Sequence, residues 1–548
     1  MQLLVPAVTA CLLVQRSLAD WQFRSRPDLA PPRLNITIPA TAEVDQGYLF
    51  LAPFAGLPDT PTEQHGPRQS GPYIFRDNGD LVWSGYGLYS IWSTNFQAAR
   101  WKGEDVIFSF EGDHNAGYGH GHGHITFMDQ HYETIRELRA GNHKLVDKHE
   151  FHVVNEETGL IQIYQPVPRN LTAWGAHEDQ QWIVNAIIQE LDIATGKLLF
   201  EWSSLDHVDP DEAILPINPG QAGSGYNSSD AWDYFHINSV DKNSAGDYLI
   251  SARDACAVHK INGTSGEIIW RLGGKKSDFK FTSKKANFCF QHHARWLPIP
   301  AKQGDDVEVI SLYDNSAHGT EHNGGHEVHT APTSSGKILR LNTTAWTADL
   351  VQGFYPPDDL LSKSQGSTQV LPNGNVLVGW GSEGAVTEFT PDGRPIFHAY
   401  MDSDALGVAV ENYRAFRYNW TGLPSEEPAI VALAGEAGTT VYVSWNGDTE
   451  TQVWRFFELG VDEDVGSKRL LGEVPRTSFE TSLFVPDRVV KNVSAEAVGV
   501  DGRALRATGF ALVEAEVLPA HKSKTTSTHV QGQGLQKTLQ KFLGRWVM

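Results

Sequence analysis

The chain has 548 residues, 40% of them apolar, and a formal net charge of -22 at pH 7. That charge excludes a protein that grips nucleic acid or an anionic membrane through a broad basic face, since both need a positive footprint. A mean hydropathy of -0.33 argues against an integral membrane protein. An anionic small substrate would need a local cluster of cations set against the global charge.

Residues 1–19 contain an apolar run from Leu3 to Val14, too short to span a bilayer, followed by small residues at Ser17 and Ala19. This predicts a signal peptide and a secreted protein. Seven N-x-S/T sequons at Asn35, Asn170, Asn227, Asn262, Asn342, Asn419 and Asn492 fit a secreted glycoprotein. With Cys11 in the leader, Cys256 and Cys289 remain; in an oxidising compartment they read as one disulfide, the alternative being two buried thiols.

After an N-terminal extension at 20–46, one pattern recurs six times between Gly47 and Met401. Each unit holds about four short apolar strands joined by Gly-, Asn- or Asp-bearing turns, which predicts a six-bladed β-propeller over 47–420, with seven blades as the alternative if the segment before Gly47 lends strands. The texture changes after Tyr418. Short alternating strands over 424–518 read as a small immunoglobulin-like β-sandwich. The tail at 519–548 is polar and basic, with a short amphipathic helix expected at its end.

Propeller sites lie on the axis, where the first strand of each repeat is expected to be innermost. Three successive candidates carry histidine: HEFH at 149–152, FHIN at 235–238 and QHHA at 291–294. In the fourth unit a hairpin whose paired residues sum to 489 would set His236 opposite Arg253, with Asn238 on the same face. A one-residue slip would turn Arg253 away. Units two and five share the frame Ala-Arg-Trp, so Arg295 and Trp296 read as blade framework, like Arg100 and Trp101. His292 and His293 should face opposite ways, so one of them reaches the axis.

The runs DYFHINSV, YLISARD, WRLGG, FQHHARW and LYDN, with HEF at 149–151 and YVSWNGDTE at 442–450, closely resemble the fungal branch of the arylsulfotransferase family. The resemblance spans roughly Gly47 to Gly509. It implies a secreted enzyme that moves a sulfuryl group from an aryl sulfate to a phenol by ping-pong kinetics through a sulfated histidine. It implies no adenylyl-sulfate cofactor and no metal. Carried over by motif, His292 is the sulfate acceptor, His236 the acid/base, and Arg253, Asn238 and His149 hold the sulfuryl oxygens. Asn315, in LYDN, would contact substrate. His293 is read as blade-facing. The Cys256 and Cys289 pair would brace the strands of Arg253 and His292. The implied partners are a small aryl sulfate and a phenol, with no nucleic acid and no membrane segment after signal removal.

Further readings compete. GHGHGH puts His120, His122 and His124 at a spacing that can bind zinc or copper, although packing is the favoured reading. The insertion AHGTEHNGGHEVH, with His318, His322, His326 and His329, reads as a solvent-exposed loop. A quinoprotein-like propeller lacks a visible calcium-ligand set. A secreted binding propeller, or an enzyme of another class acting on phenolic metabolites in the same pocket, would need the histidines for a different purpose.

Overall fold

The computed structural model describes residues 20–55, 67–89, 92–114, 119–217, 222–298, 306–318, 327–401, 410–460 and 467–515. The leader at 1–19, the tail at 519–548, and His322 and His326 lie outside the described residues.

Six sheets arranged as propeller blades follow one another in chain order, nearly all β. The predicted repeat holds for blades 2 to 6, each of which begins with its innermost strand: Trp92–Trp101, Phe151–Val154, Ile237–Lys242, His292–Trp296 and Ser367–Val370. Blade 1 differs. Its innermost strand is Phe416–Tyr418, which pairs with Tyr48–Leu51 from the far end of the propeller sequence. Blade 6 in turn takes its outermost strand, Asn35–Ile38, from the N-terminal extension. Both closures bring together chain ends more than 350 residues apart, so no local pattern signals them. They cover edges that would otherwise offer unpaired backbone groups to another chain.

Blades pack on one another through alternate strand residues. Between blades 4 and 5, Leu249, Val258 and Trp270 meet Ala294, Ile310 and Leu339, all fully or almost fully buried. The Trp270 indole donates from Nε1 to Glu308 of the next blade at 2.9 Å, which docks the end of one blade on its neighbour.

The C-terminal unit contains two layers. One joins Ala429–Gly435, Gly438–Ser444 and Glu480–Pro486; the other joins Val453–Leu459, Lys468–Pro475, Asn492–Val498 and Ala504–Ala507. Ala511–Ala515 pairs with both layers and turns them into one nearly closed, barrel-like sheet. The WNGD turn of this unit docks on blades 1 and 2. Asn446 exchanges two hydrogen bonds with the Ser84 backbone, at 2.8 and 2.9 Å, and Tyr132 donates to the Gly447 carbonyl at 2.7 Å. Gly447 has φ +96°, and a Cβ there would lie 2.3 Å from the Tyr132 ring, so only glycine fits.

Candidate active site

The innermost strands deliver polar side chains to one end of the axis from their N-terminal ends. His149 precedes Phe151–Val154 by two residues, His236 directly precedes Ile237–Lys242, and His292 begins His292–Trp296. Tyr413 and Arg414 lie just before Phe416–Tyr418, and Gln365 just before Ser367–Val370. The His149 and His236 rings are 5.0 Å apart and nearly perpendicular. Tyr413 lies 5.4 Å from His149 and 6.3 Å from His292.

The main chain places Arg253 as expected, by a different route. The hairpin pairs at a sum of 490, and a bulge between Ile237 and Ser239 brings it to 489, so the Arg253 N–H donates to the His236 carbonyl at 2.9 Å. The same bulge corrects the reading of Asn238, which is the extra residue and does not share a ladder face with His236. Its amide donates to the Gln291 carbonyl at 2.6 Å, fixing the peptide before His292. Its Oδ1 is buried without a partner. Arg253 donates from Nη1 to Asp254 at 3.0 Å and from Nη2 to the Lys363 carbonyl at 2.9 Å, while its Nε is buried and unpaired.

His292 has a defined tautomer. Asn315 donates its amide to the Ser362 and Gln365 carbonyls, at 3.1 and 3.0 Å, which turns Oδ1 toward the ring. Oδ1 therefore accepts from His292 Nδ1 at 2.7 Å, leaving Nε2 with the lone pair. The Gln365 N–H approaches that lone pair at 3.3 Å. Asn315 is fully buried and committed, so it orients His292 instead of facing substrate. Burial, and then the Arg253 charge, push the His292 pKa well below its ordinary value and keep the ring neutral.

Two carboxylates that the sequence does not pair with them at first sight hold the other histidines. Asp147 meets His149 Nδ1 at 2.5 Å, and Asp233 meets His236 Nδ1 at 2.6 Å. Asp233 also contacts His120 Nε2 at 2.9 Å, and His120 stacks on Tyr164 at 4.1 Å. Burial pushes both carboxyls upward, but the neighbouring imidazoles outweigh it and hold both well below the usual range. Burial lowers His149 to about 3. Each aspartate sits two or three residues before its histidine, in DKH and DYFH, and that closeness was a readable signal.

Two other readings change. His120, His122 and His124 do not converge: His120 turns to Asp233, His124 Nε2 lies 3.6 Å from Glu111, and His122 is exposed, because His120 precedes the strand His122–Met128. Among the described residues, the group close enough to hold an ion is His120, Asp233 and His236, where two imidazoles already meet one carboxylate. His318 is not solvent-exposed but 2% accessible, 5.2 Å from Phe290, and burial with the charges of Arg253 and His236 pushes it down to about 2. His329 is exposed as expected.

Below the histidines lies an ionic layer. Buried Glu150 accepts from Arg414 at 2.9 Å and from Arg295 at 2.8 Å, and Arg414 also donates to the Asn238 carbonyl at 2.7 Å. Arg295 therefore belongs to the axis, whereas Arg100 is exposed on the rim; the shared Ala-Arg-Trp frame hides this because the inner strand bulges between His292 and Arg295. Past this layer is a cavity of about 880 Å³, lined by Gln97, His152, Asp241, Arg295 and His293. His293, with φ +53°, does not turn into its blade. It lines this cavity and sits 5.5 Å from Phe416. The disulfide forms between Cys256 and Cys289. The residues three before and three after it are Arg253 and His292.

The arylsulfotransferase (ASST) family model matches residues 97–402. The chain belongs to the arylsulfotransferase family. No curated protein matches it. Solved structures resemble it only loosely. A Bacteroides caccae protein of unknown function is 10% identical, over 68% of this chain and 98% of that one, with a TM-score of 0.35. The Dos1 propeller is 8% identical over 82% and 88%, at 0.27. An inactive virginiamycin B lyase from Staphylococcus aureus, solved with quinupristin, is 11% identical over 65% and 93%, at 0.26. Overlays this loose bear on neither chemistry nor blade count.

Burial sets a pH dependence of stability. It is the first cause lowering His149, His259, His292, His293, His318 and His398. Unfolded, each takes a proton near pH 6.5; folded, each stays neutral below that. The unfolded state then binds more protons, and stability falls as pH drops through 6.5, by up to about 1.4 kcal/mol per unit for each ring. Buried carboxyls raised by burial, such as Asp80 and Glu388, oppose this just above the ordinary carboxyl range. The melting temperature should fall between pH 7 and pH 5. A flat or rising profile would contradict the neutral histidines.

Proposed function

We propose that this protein transfers a sulfuryl group from an aryl sulfate to a phenol through a covalent adduct on His292. The observation that carries the reading is the His292 tautomer: Asn315 holds Nδ1–H and leaves a neutral Nε2 lone pair on the propeller axis. A neutral imidazole is a competent nucleophile that splits one transfer into two steps. In the first, the Gln365 contact opens and Nε2 attacks sulfur. The S–N bond forms, the S–O bond to the aryl group breaks, and the electron pair leaves on the phenolate oxygen. His236, held at Nδ1 by Asp233, gives that oxygen a proton. In the second step neutral His236 takes the proton of the acceptor phenol. The new phenolate attacks sulfur, and the S–N electrons return to His292.

Arg253 supplies positive charge to the sulfuryl oxygens as they spread charge in a loose transition state, by analogy with phosphoryl transfer. The His149 ring stands 5.0 Å from that of His236. Asn238 acts through the Gln291 carbonyl as a positioning residue. The residues present carry the reaction without a cofactor. We further place the protein in the fungal branch of the family, secreted after loss of residues 1–19. In support, no helix among the described residues is long and apolar enough to cross a membrane, the disulfide forms, and none of the seven sequon asparagines is buried.

The test is release of nitrophenolate from 4-nitrophenyl sulfate with and without phenol. Parallel reciprocal plots at several phenol concentrations are expected, as for a ping-pong reaction. Intersecting plots would mean direct transfer in a ternary complex. Asp233→Asn should lower kcat by on the order of 10²-fold or more, since the amide no longer fixes the His236 tautomer or supports its protonated form. It should also shift the pH profile of kcat. A fall in kcat with an unmoved profile would make Asp233 merely structural.

A further inference from the structure

A cavity of about 810 Å³ opens off the axis, beside the disulfide. Its inner wall includes Cys256, Cys289, Asp314 and Ser316. These are close chain neighbours of Arg253, His292 and Asn315. Phe288 and Tyr355 give it aromatic surface; Phe288 is buried and Tyr355 is exposed. Lys275, Lys284 and Lys285 line it, and all three are exposed.

These cations are uncompensated. Lys275 donates to the Asp211 backbone carbonyl at 3.1 Å, and among the described residues none of the three makes an ion pair. The fourth lysine of the wall, Lys337, is neutralised by Asp314 at 2.6 Å. One free carboxylate, Asp359, also lines the space, so three cations face one anion. This is the local reversal of sign that a chain of net charge -22 needs to hold a small anion.

We infer that this cavity is a second binding site, for an aromatic monoanion, with the ring against Phe288 and Tyr355 and the anionic group among the lysines. Its volume suits a one- or two-ring ligand. Naming an aryl sulfate as the natural occupant rests on the proposed transfer reaction; the chemistry of the cavity does not.

The probe is naphthalene-2-sulfonate, whose carbon–sulfur bond offers no ester to transfer, so binding is read whether or not the protein transfers sulfuryl groups. Calorimetry of the full-length protein at low salt should show two sites. K284E/K285E, at exposed positions that leave the fold intact, should weaken one of them by about tenfold or more, as should added salt. K102E/K197E, changing two exposed lysines elsewhere, should leave both sites unchanged. Tyr355→Ala should weaken the same site for naphthalene-2-sulfonate but not for methanesulfonate. No site weakened by K284E/K285E, or equal losses in both lysine variants, would overturn the inference. An unchanged affinity in Tyr355→Ala would overturn its aromatic part.

Discussion

Replacing His292 by alanine is expected to lower kcat/KM for sulfuryl transfer by about 10⁴-fold or more, because the nucleophile itself is lost and the two-step route with it. The substitution removes a neutral, buried ring from a wall that stays in place. Asn315 keeps its two backbone acceptors, at Ser362 and Gln365, and loses only its contact to the ring. The fold should therefore survive, and circular dichroism and melting should stay near wild type. His292→Gln is the second variant. Its amide partly fills the space, and it should be equally inactive. Residual activity within tenfold of wild type in either variant would remove His292 from the chemistry. The same experiment on His293→Ala should leave transfer largely intact, since that ring lies past the Glu150 layer beside Phe416.

The largest expected loss of stability is at Glu150. Its carboxylate is fully buried and accepts from Arg295, from Arg414 and from the Val240 N–H at 3.1 Å. Burial would raise its pKa, but the two guanidinium groups outweigh this and hold it below the usual range. Glu150→Ala leaves Arg414, itself 1% accessible, and Arg295 facing each other without an anion. Breaking a buried ion pair from one side costs about 3–5 kcal/mol, and this cluster joins inner strands or their approaches from blades 1, 3 and 5. The midpoint of urea unfolding should fall accordingly, and Glu150→Gln, which keeps one acceptor, should fall less. An unchanged midpoint would mean that water reaches this layer. Because Arg414 also holds the Asn238 carbonyl, the variant should lose activity together with stability.

The repeat count was legible because each blade restates its own hydrophobic pattern, and a period of four strands survives uneven insertions. His149, His236 and His292 were legible because histidine at the start of three inner strands has no packing rationale. The rest depended on distance or on bulges. The strands Asn35–Ile38 and Phe416–Tyr418 pair with partners hundreds of residues away, so neither falls within the repeat that runs from Gly47 to Met401. The bulges at Asn238 and in His292–Trp296 broke the alternation by which faces were assigned, and this misplaced Asn238 and His293, while the Ala-Arg-Trp frame shared with blade 2 misplaced Arg295. His318 sits in a polar, glycine-rich insertion whose composition suggests solvent, yet its first residues fold back against Phe290. Asp147 and Asp233 were within reach, each close in sequence to the histidine it holds.

The central claim is the covalent step. The full-length protein would be mixed with excess 4-nitrophenyl sulfate in the absence of phenol, quenched and digested at alkaline pH, and the peptides weighed. A sulfuryl adduct is expected on the peptide containing His292, formed with one equivalent of nitrophenolate and discharged when phenol is added before quenching. Turnover without any adduct, or an adduct on another residue that phenol discharges, would contradict it.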